Sequence, residues 1–202
     1  MILHRLSILM VTVATLAGCP RTHRTVVSPS GADSLQGSDP LVVAAALGHF
    51  AGRTEGVLLV DPRPLRPGAS LQGIRERDID AADEGVVRAR TRFLEGRGIR
   101  TTDAAADMRC AFSRGVPPPD SLLRLEPDSL RSHRQACLAR GVYTSYAFGR
   151  ARPAGTPTSS GAVRVRAFRI TTWSYEVWDL DLRPAARGFE VTGARRLGGV
   201  AS

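Results

Sequence analysis

The sequence predicts an α+β domain in which N-terminal helices pack on a C-terminal antiparallel sheet. Two observations point to helices: Val43, Ala46, Leu47 and Phe50 recur at helical spacing, and Ile79, Ala82, Val86, Ala89 and Phe93 do so again further on. A third points to the sheet. The segments 162–170 (AVRVRAFRI) and 175–183 (YEVWDLDLR) pair as a hairpin in one register that matches charges and apolar residues together. Helices that precede an antiparallel meander give helices segregated to one sheet face. With 202 residues and 43% hydrophobic positions, the chain suffices for one folded domain.

The first element is an address. Met1 to Arg5 is a short basic start, and Leu6 to Leu16 (LSILMVTVATL) is an apolar stretch of signal length, too short to span a bilayer. Leu16-Ala17-Gly18-Cys19 follows, and here the chain resembles bacterial lipoproteins, whose lipobox is a Leu, two small residues and a Cys. The resemblance covers the first 19 residues. It implies cleavage after Gly18 and acylation of Cys19, with palmitate among the chains, so that the mature protein is held to a membrane without crossing it. Residue 20 is Pro and not the Asp of the inner-membrane retention signal, which favours an outer-membrane site in an organism with two membranes. The predicted organisation is a signal peptide over 1–18, a flexible polar tether over 19–39, and one α+β domain over 40–202.

Asp39-Pro40 reads as an N-cap followed by Pro at the first helical position, which predicts a helix over 41–51 that stops at Gly52. Gly56 to Val60 is a short apolar run before Asp61-Pro62 and predicts a buried strand; 63–73 predicts a loop. The second helix is predicted over 78–95, its start enriched in Asp78, Asp80, Asp83 and Glu84, which complement the helix dipole. Pro117 to Pro119 marks a turn, Asp128 to Arg140 a third helix stopped by Gly141, and Val142, Thr144, Tyr146 and Phe148 alternate as a strand. A loop over 149–161, rich in Pro, Ser and Thr, leads into the meander.

Folding 162–183 about the midpoint of Thr172 and Trp173 sets Arg164 opposite Asp181, Arg166 opposite Asp179 and Arg169 opposite Glu176, while Val163 meets Leu182, Val165 meets Leu180 and Ala167 meets Trp178. The turn is predicted over Thr171 to Ser174. The apolar phase flips at Phe168 and Val177, which predicts a twisted or bulged tip. A third strand follows, with Leu182 facing Phe189 and Leu180 facing Val191 across a turn over 183–188.

The formal charge of +9 suggests a polyanion partner, but all 28 basic residues are Arg and the chain has neither Lys nor Asn, which is the mark of GC-rich coding. The arginines are interspersed with acids, with no block of like charge, so nucleic acid is not a predicted partner. With Cys19 lipidated, Cys110 and Cys137 remain as an even pair in an exported chain and predict a disulfide. Zinc ligation by Cys110, Cys137, His49 and His133 has suitable ligand types but no close ligand spacing, and no metal is predicted. The acidic cluster at 78–84 lacks the turn Gly of a calcium loop and reads as a solvated helix start. No nucleophile elbow, phosphate loop or dinucleotide Gly pattern occurs, so no catalytic residue and no cofactor are assigned.

Trp173 and Tyr175, beside Trp178 and Phe168 at the hairpin tip, are the candidate partner surface, with core packing as the alternative. These features predict a lipid-anchored envelope component that works by non-catalytic binding or as an accessory or structural part, its partner another envelope protein or a cell-wall glycan. The rival is a ligand-binding or enzymatic domain with a helix-plus-curved-sheet cone, similar in element order to the nuclear-transport-factor-like superfamily, which includes isomerases and dehydratases. A sheet-lined pocket with an inward Asp, His or Tyr would mark the rival; a sheet face filled by Val165, Leu180, Trp178 and Val191 would mark the binding module.

Overall fold

The computed structural model describes residues 31–113, 127–154 and 161–200. The predicted signal segment, Cys19, the first part of the tether, the Pro117–Pro119 turn and residues 155–160 of the 149–161 loop lie outside the described residues. The fold is α+β. Its elements are α1 (Gly31–Phe50), β1 (Val57–Leu65), α2 (Glu84–Glu95), β2 (Arg100–Thr101), α3 (Ala104–Ser113), α4 (Pro127–Ala139), β3 (Tyr143–Gly149), β4 (Arg152–Pro153), β5 (Val163–Thr171), β6 (Tyr175–Ala185) and β7 (Gly188–Val200). The strands form one open sheet in the order β2-β1-β3-β5-β6-β7, with β4 paired to the flank of β5. β1 is parallel to both β2 and β3, and the remaining pairs are antiparallel.

The β5–β6 hairpin has the predicted register at every position, from Val163 opposite Leu182 to Ile170 opposite Tyr175. Thr-Trp lacks the residues of a tight primed turn, and side chains compensate. The Thr171 hydroxyl accepts the backbone N–H groups of Trp173 and Ser174, and it also bonds the Ser174 hydroxyl at 2.8 Å. The β6–β7 register differs from the expectation by two residues: Leu182 faces Val191 and Pro184 faces Phe189. Beyond an irregularity at Asp181/Leu182 the offset grows to three, so that Leu180 faces Ala194 and not Val191, and a second irregularity at Val177/Trp178 lengthens the ladder again.

The phase flip at the hairpin tip coincides with the β6–β7 irregularity at Val177/Trp178 and also with a change of packing layer. Val163, Val165, Ala167, Leu180 and Leu182 pack on one face with Val42, Val43, Ala46 and Phe50 of α1 and Leu94 of α2. Phe168, Ile170, Tyr175 and Val177 pack on the other with Ala104, Ala105, Met108 and Ala111 of α3 and with Leu65, Ile74 and Ile79. The expectation of helices on a single face is thereby corrected: both faces are covered, and the flip marks where the second layer begins. β3 lies between the layers and is buried along its whole length.

Several boundaries are corrected. α1 begins at Gly31 and runs through Pro40, so the tether gives way to helix well before residue 39. β1 continues through Pro62 and Pro64 to Leu65; its pairing with β3 is interrupted between Asp61 and Leu65, where missing N–H groups break no ladder. α2 starts at Glu84, capped by the Asp83 carboxylate on the Val86 N–H, because Ile79 leaves the helical period to bridge Leu65. α3 and β2 have no counterpart in the sequence reading.

Arg90 of α2 is buried at 1% exposure, and its guanidinium makes four hydrogen bonds. Nε donates to Asp39 Oδ2 at 2.6 Å and Nη2 to Asp39 Oδ1 at 3.0 Å, while Nη1 and Nη2 donate to the carbonyls of Phe148 and Gly149 at 3.0 and 2.9 Å. Asp39, predicted as an N-cap, is instead this cation's buried counterion inside α1. Removing one member of a buried pair strands the other, at a cost of about 3–5 kcal/mol. Arg90→Met and Asp39→Ala are each expected to lower unfolding free energy by that order in urea melts, and Asp39→Leu/Arg90→Met by less than the two losses added.

Candidate functional site

Three places carry polar or exposed groups with functional potential. The first is the junction of α3 and α4, where Cys110 and Cys137 form a disulfide closing a 27-residue separation. Both cysteines are buried, and the bond joins two helices, α3 and α4. His133 stands one turn before Cys137 on α4, its Nε2 3.6 Å from Cys137 Sγ, and the ligand atoms of Cys110, His133 and Cys137 lie within 4.8 Å of one another. His49 is not part of this group; it ends α1, edge-on to Phe50, and burial with the nearby Arg53 lowers its pKa. Sulfurs bonded to each other are not the thiolates that zinc requires, so the junction serves as a staple.

Beside the staple lies Asp107, fully buried on α3. Thr102 donates to its Oδ2 at 2.8 Å, and Arg140 Nη1 sits 2.6 Å from Oδ1 in an ion pair not aligned as a hydrogen bond. Burial raises the Asp107 pKa against the opposing pull of Arg140 and Thr102. Asp103 caps the same helix, accepting the N–H groups of Ala105 and Ala106, and the buried Asp61 at the end of the regular β1 ladder accepts the Ala104 N–H at 2.9 Å. Arg63 bridges Asp61 and Asp103 at 2.8 and 3.0 Å. The α3 N-terminus is therefore already occupied by the chain's own carboxylates.

The second place is the hairpin tip. Tyr175 is buried in the α3-side core, so it contributes packing and not a partner contact. Trp173 is 50% exposed. Trp178 is half-buried under the Arg53 guanidinium, 5.0 Å from the ring centre, and edge-on to Phe50. Of the two predicted surface residues, Trp173 alone faces solvent.

The third place is a cavity of about 260 Å³ at the sheet rim, reached from the ends of β1 and β3. It is lined by Leu65 and Gly149 with the following residues Arg66 and Arg150, by Arg152 of β4, by Arg164 and Arg166 of β5 and by Asp179 of β6. Most of these arginines are positioned from behind. Arg66 Nε donates to the Ile79 carbonyl, Arg150 pairs with Asp80 and Asp83 at 2.9 and 2.6 Å, Arg164 with Asp181 at 2.7 Å and Arg166 with Asp179 at 3.1 Å. The cross-strand pairs read from the sequence are present, and the same arginines line a cavity as well. Sequence reasoning missed this because Arg66, Arg150 and Arg152 reach it from unrelated segments. The acids at 80 and 83, expected to be solvated, hold Arg150 instead.

The location follows from topology. From β1 the chain crosses over α2 to β2 on one side, then returns over α3 and α4 to β3 on the other, with α2 and α3 on opposite faces. Ligands in open sheets gather outside the carboxyl ends of strands where crossovers diverge in this way. Here the near part of that crevice is closed by Asp61 and Arg63, and the open part is the arginine-lined rim.

Cys110→Ser/Cys137→Ser is expected to lower stability by about 3 kcal/mol in urea melts, from the lost constraint on the unfolded chain. A carboxyl whose folded pKa is raised costs stability above that pKa and none below its unfolded value. Asp107→Asn is therefore expected to gain on the parent as pH rises from below the ordinary carboxylate range to neutrality, read from melts at successive pH values. No protein-family model, curated protein or solved structure matches this chain, so its own geometry carries the functional reading.

Proposed function

We propose that this chain is a lipid-anchored component of a bacterial envelope that works by non-catalytic binding. The filled sheet supports this reading. Val165 and Leu180 are buried, Trp178 and Val191 pack against them under α1, and α3 covers part of the opposite face, while the cavity at the rim is lined by arginines and Asp179, with no His or Tyr. Contact with a ligand or partner then falls to the rim and to the exposed Trp173. The buried disulfide suits an oxidising compartment outside the cytoplasm. The lipobox Leu16-Ala17-Gly18-Cys19 supplies the anchor and Pro20 the outer-membrane preference. Candidate partners are another envelope protein and cell-wall glycan.

Radiolabelled palmitate fed to bacteria expressing the full chain is expected to label it and to follow it into the membrane fraction, with Cys19→Ser losing both. An unlabelled parent chain, or a Cys19→Ser chain that is still labelled, would overturn the anchor; turnover of a substrate by the purified chain would overturn the non-catalytic role.

A further inference from the structure

We propose that the arginine-lined cavity at the rim binds a phosphate monoester group, carried either by a small soluble molecule or by a lipid headgroup. The proposal takes the chain as a binding component and names what one of its sites holds. The lining contains five arginines against one carboxylate, that of Asp179. Asp179 is already shared between Arg166 and Arg195, at 3.1 and 3.6 Å, and Arg164 and Arg150 are matched by acids behind them. Arg66 and Arg152 have no carboxylate partner among the described residues. The rim thus carries positive charge that no described carboxylate neutralises.

The pairing of β4 with β5 sharpens the point. Arg152 stands directly opposite Arg164 in an antiparallel ladder, so two like charges share one face at cross-strand distance. Such pairs are destabilising, and an anion seated between them turns repulsion into two attractions. Paired acids fix Arg164 and Arg166, and the Ile79 carbonyl fixes Arg66, so these guanidiniums are oriented before any ligand arrives. Several planar guanidiniums lining one cavity suit a group with several equivalent oxygens, and a phosphate monoester offers three; a carboxylate offers two. The volume of about 260 Å³ admits that group with a small substituent. The lining has no His, Cys, Ser or Tyr among the described residues, and its one carboxylate, Asp179, is held by Arg166 and Arg195, so the proposal is one of binding and not of turnover.

The test uses the full chain in a non-ionic detergent, titrated calorimetrically in chloride buffer with inorganic phosphate, glycerol phosphate and a short-chain phosphatidic acid below its micelle concentration. Saturable binding is expected, with Arg152→Gln and Arg66→Gln each weakening it about tenfold, the equivalent of about 1.4 kcal/mol. Arg183→Gln removes a cation from an exposed pair with Glu190, away from the lining, and is expected to leave affinity unchanged. Arg152 is exposed and its substitution breaks no described contact, so it reports on binding even where Arg66→Gln perturbs folding. Phosphatidic acid binding tenfold tighter than glycerol phosphate would support the site and assign the lipid source; equal binding would support it and assign the soluble source. No saturable binding of any probe, binding indifferent to Arg152→Gln, or an equal loss in Arg183→Gln would overturn the proposal. None of these results bears on palmitate labelling, so the anchor stands or falls separately.

Discussion

The guanidinium of Arg90 is the constraint on which the α1–α2 side of the molecule depends. It lies where α1, α2 and the end of β3 meet, and every donor it points inward is taken by Asp39 or by the Phe148 and Gly149 carbonyls. A charge so deep is tolerable only with a counterion and hydrogen bonds in good geometry, which restricts how the three elements can be arranged. Around it the apolar layer closes: Val42, Val43 and Phe50 from α1, Leu94 from α2, and the stacked rings of Phe50, Tyr146 and Phe148. A lysine would supply a point charge without the planar fork that reaches a carboxylate and two carbonyls at once. The same clamp fixes Gly149, the residue before Arg150, and so ties the buried layer to the rim cavity.

What the sequence made legible is what local periodicity and cross-strand chemistry determine. The β5–β6 register was readable because three Arg–acid pairs and three apolar pairs agree on one alignment, and a slip of one residue would turn all of them over. The cysteine pair was readable because few alternatives existed. The failures share a physical cause, which is that a distant partner overrode a local preference. Pro40 is an N1 signal in isolation, yet α1 passes through it while Asp39 pairs with Arg90, 51 residues away. Ile79 fits the α2 period and is drawn off to Leu65. α3 is mostly alanine on its buried side, which gives little hydrophobic contrast in sequence and allows close approach to the sheet in space. The parallel pairing of β1 with β3 joins residues more than 80 positions apart, beyond any spacing rule.

The candidate site divides along the same line. Arg164 and Arg166 were visible as partners of Asp181 and Asp179, because opposite charges on facing strands announce themselves. Their second surface was not visible, since it is completed by Arg66 after β1, Arg150 after β3 and Arg152 on β4. On the α3-facing side of β5, apolar packing extends over Ile170 and Phe168 and then ends, and the charged ladder continues the same face uncovered. A structural salt-bridge ladder and a cationic cavity are thus one set of side chains: the acids hold the guanidiniums in place, and their outer edges remain turned to the rim.

The bond between Cys110 and Cys137 alters what a cut in the polypeptide means. The segment between them carries Arg114, Arg124 and Arg131 among other cleavable positions. Since α3 and α4 are joined through sulfur, hydrolysis at any of these leaves both fragments in one covalent molecule. α3, with its hold on the sheet, and α4 with strands β3 to β7 behind it cannot diffuse apart. A copy nicked there stays one molecule, and only a reductant releases its C-terminal portion.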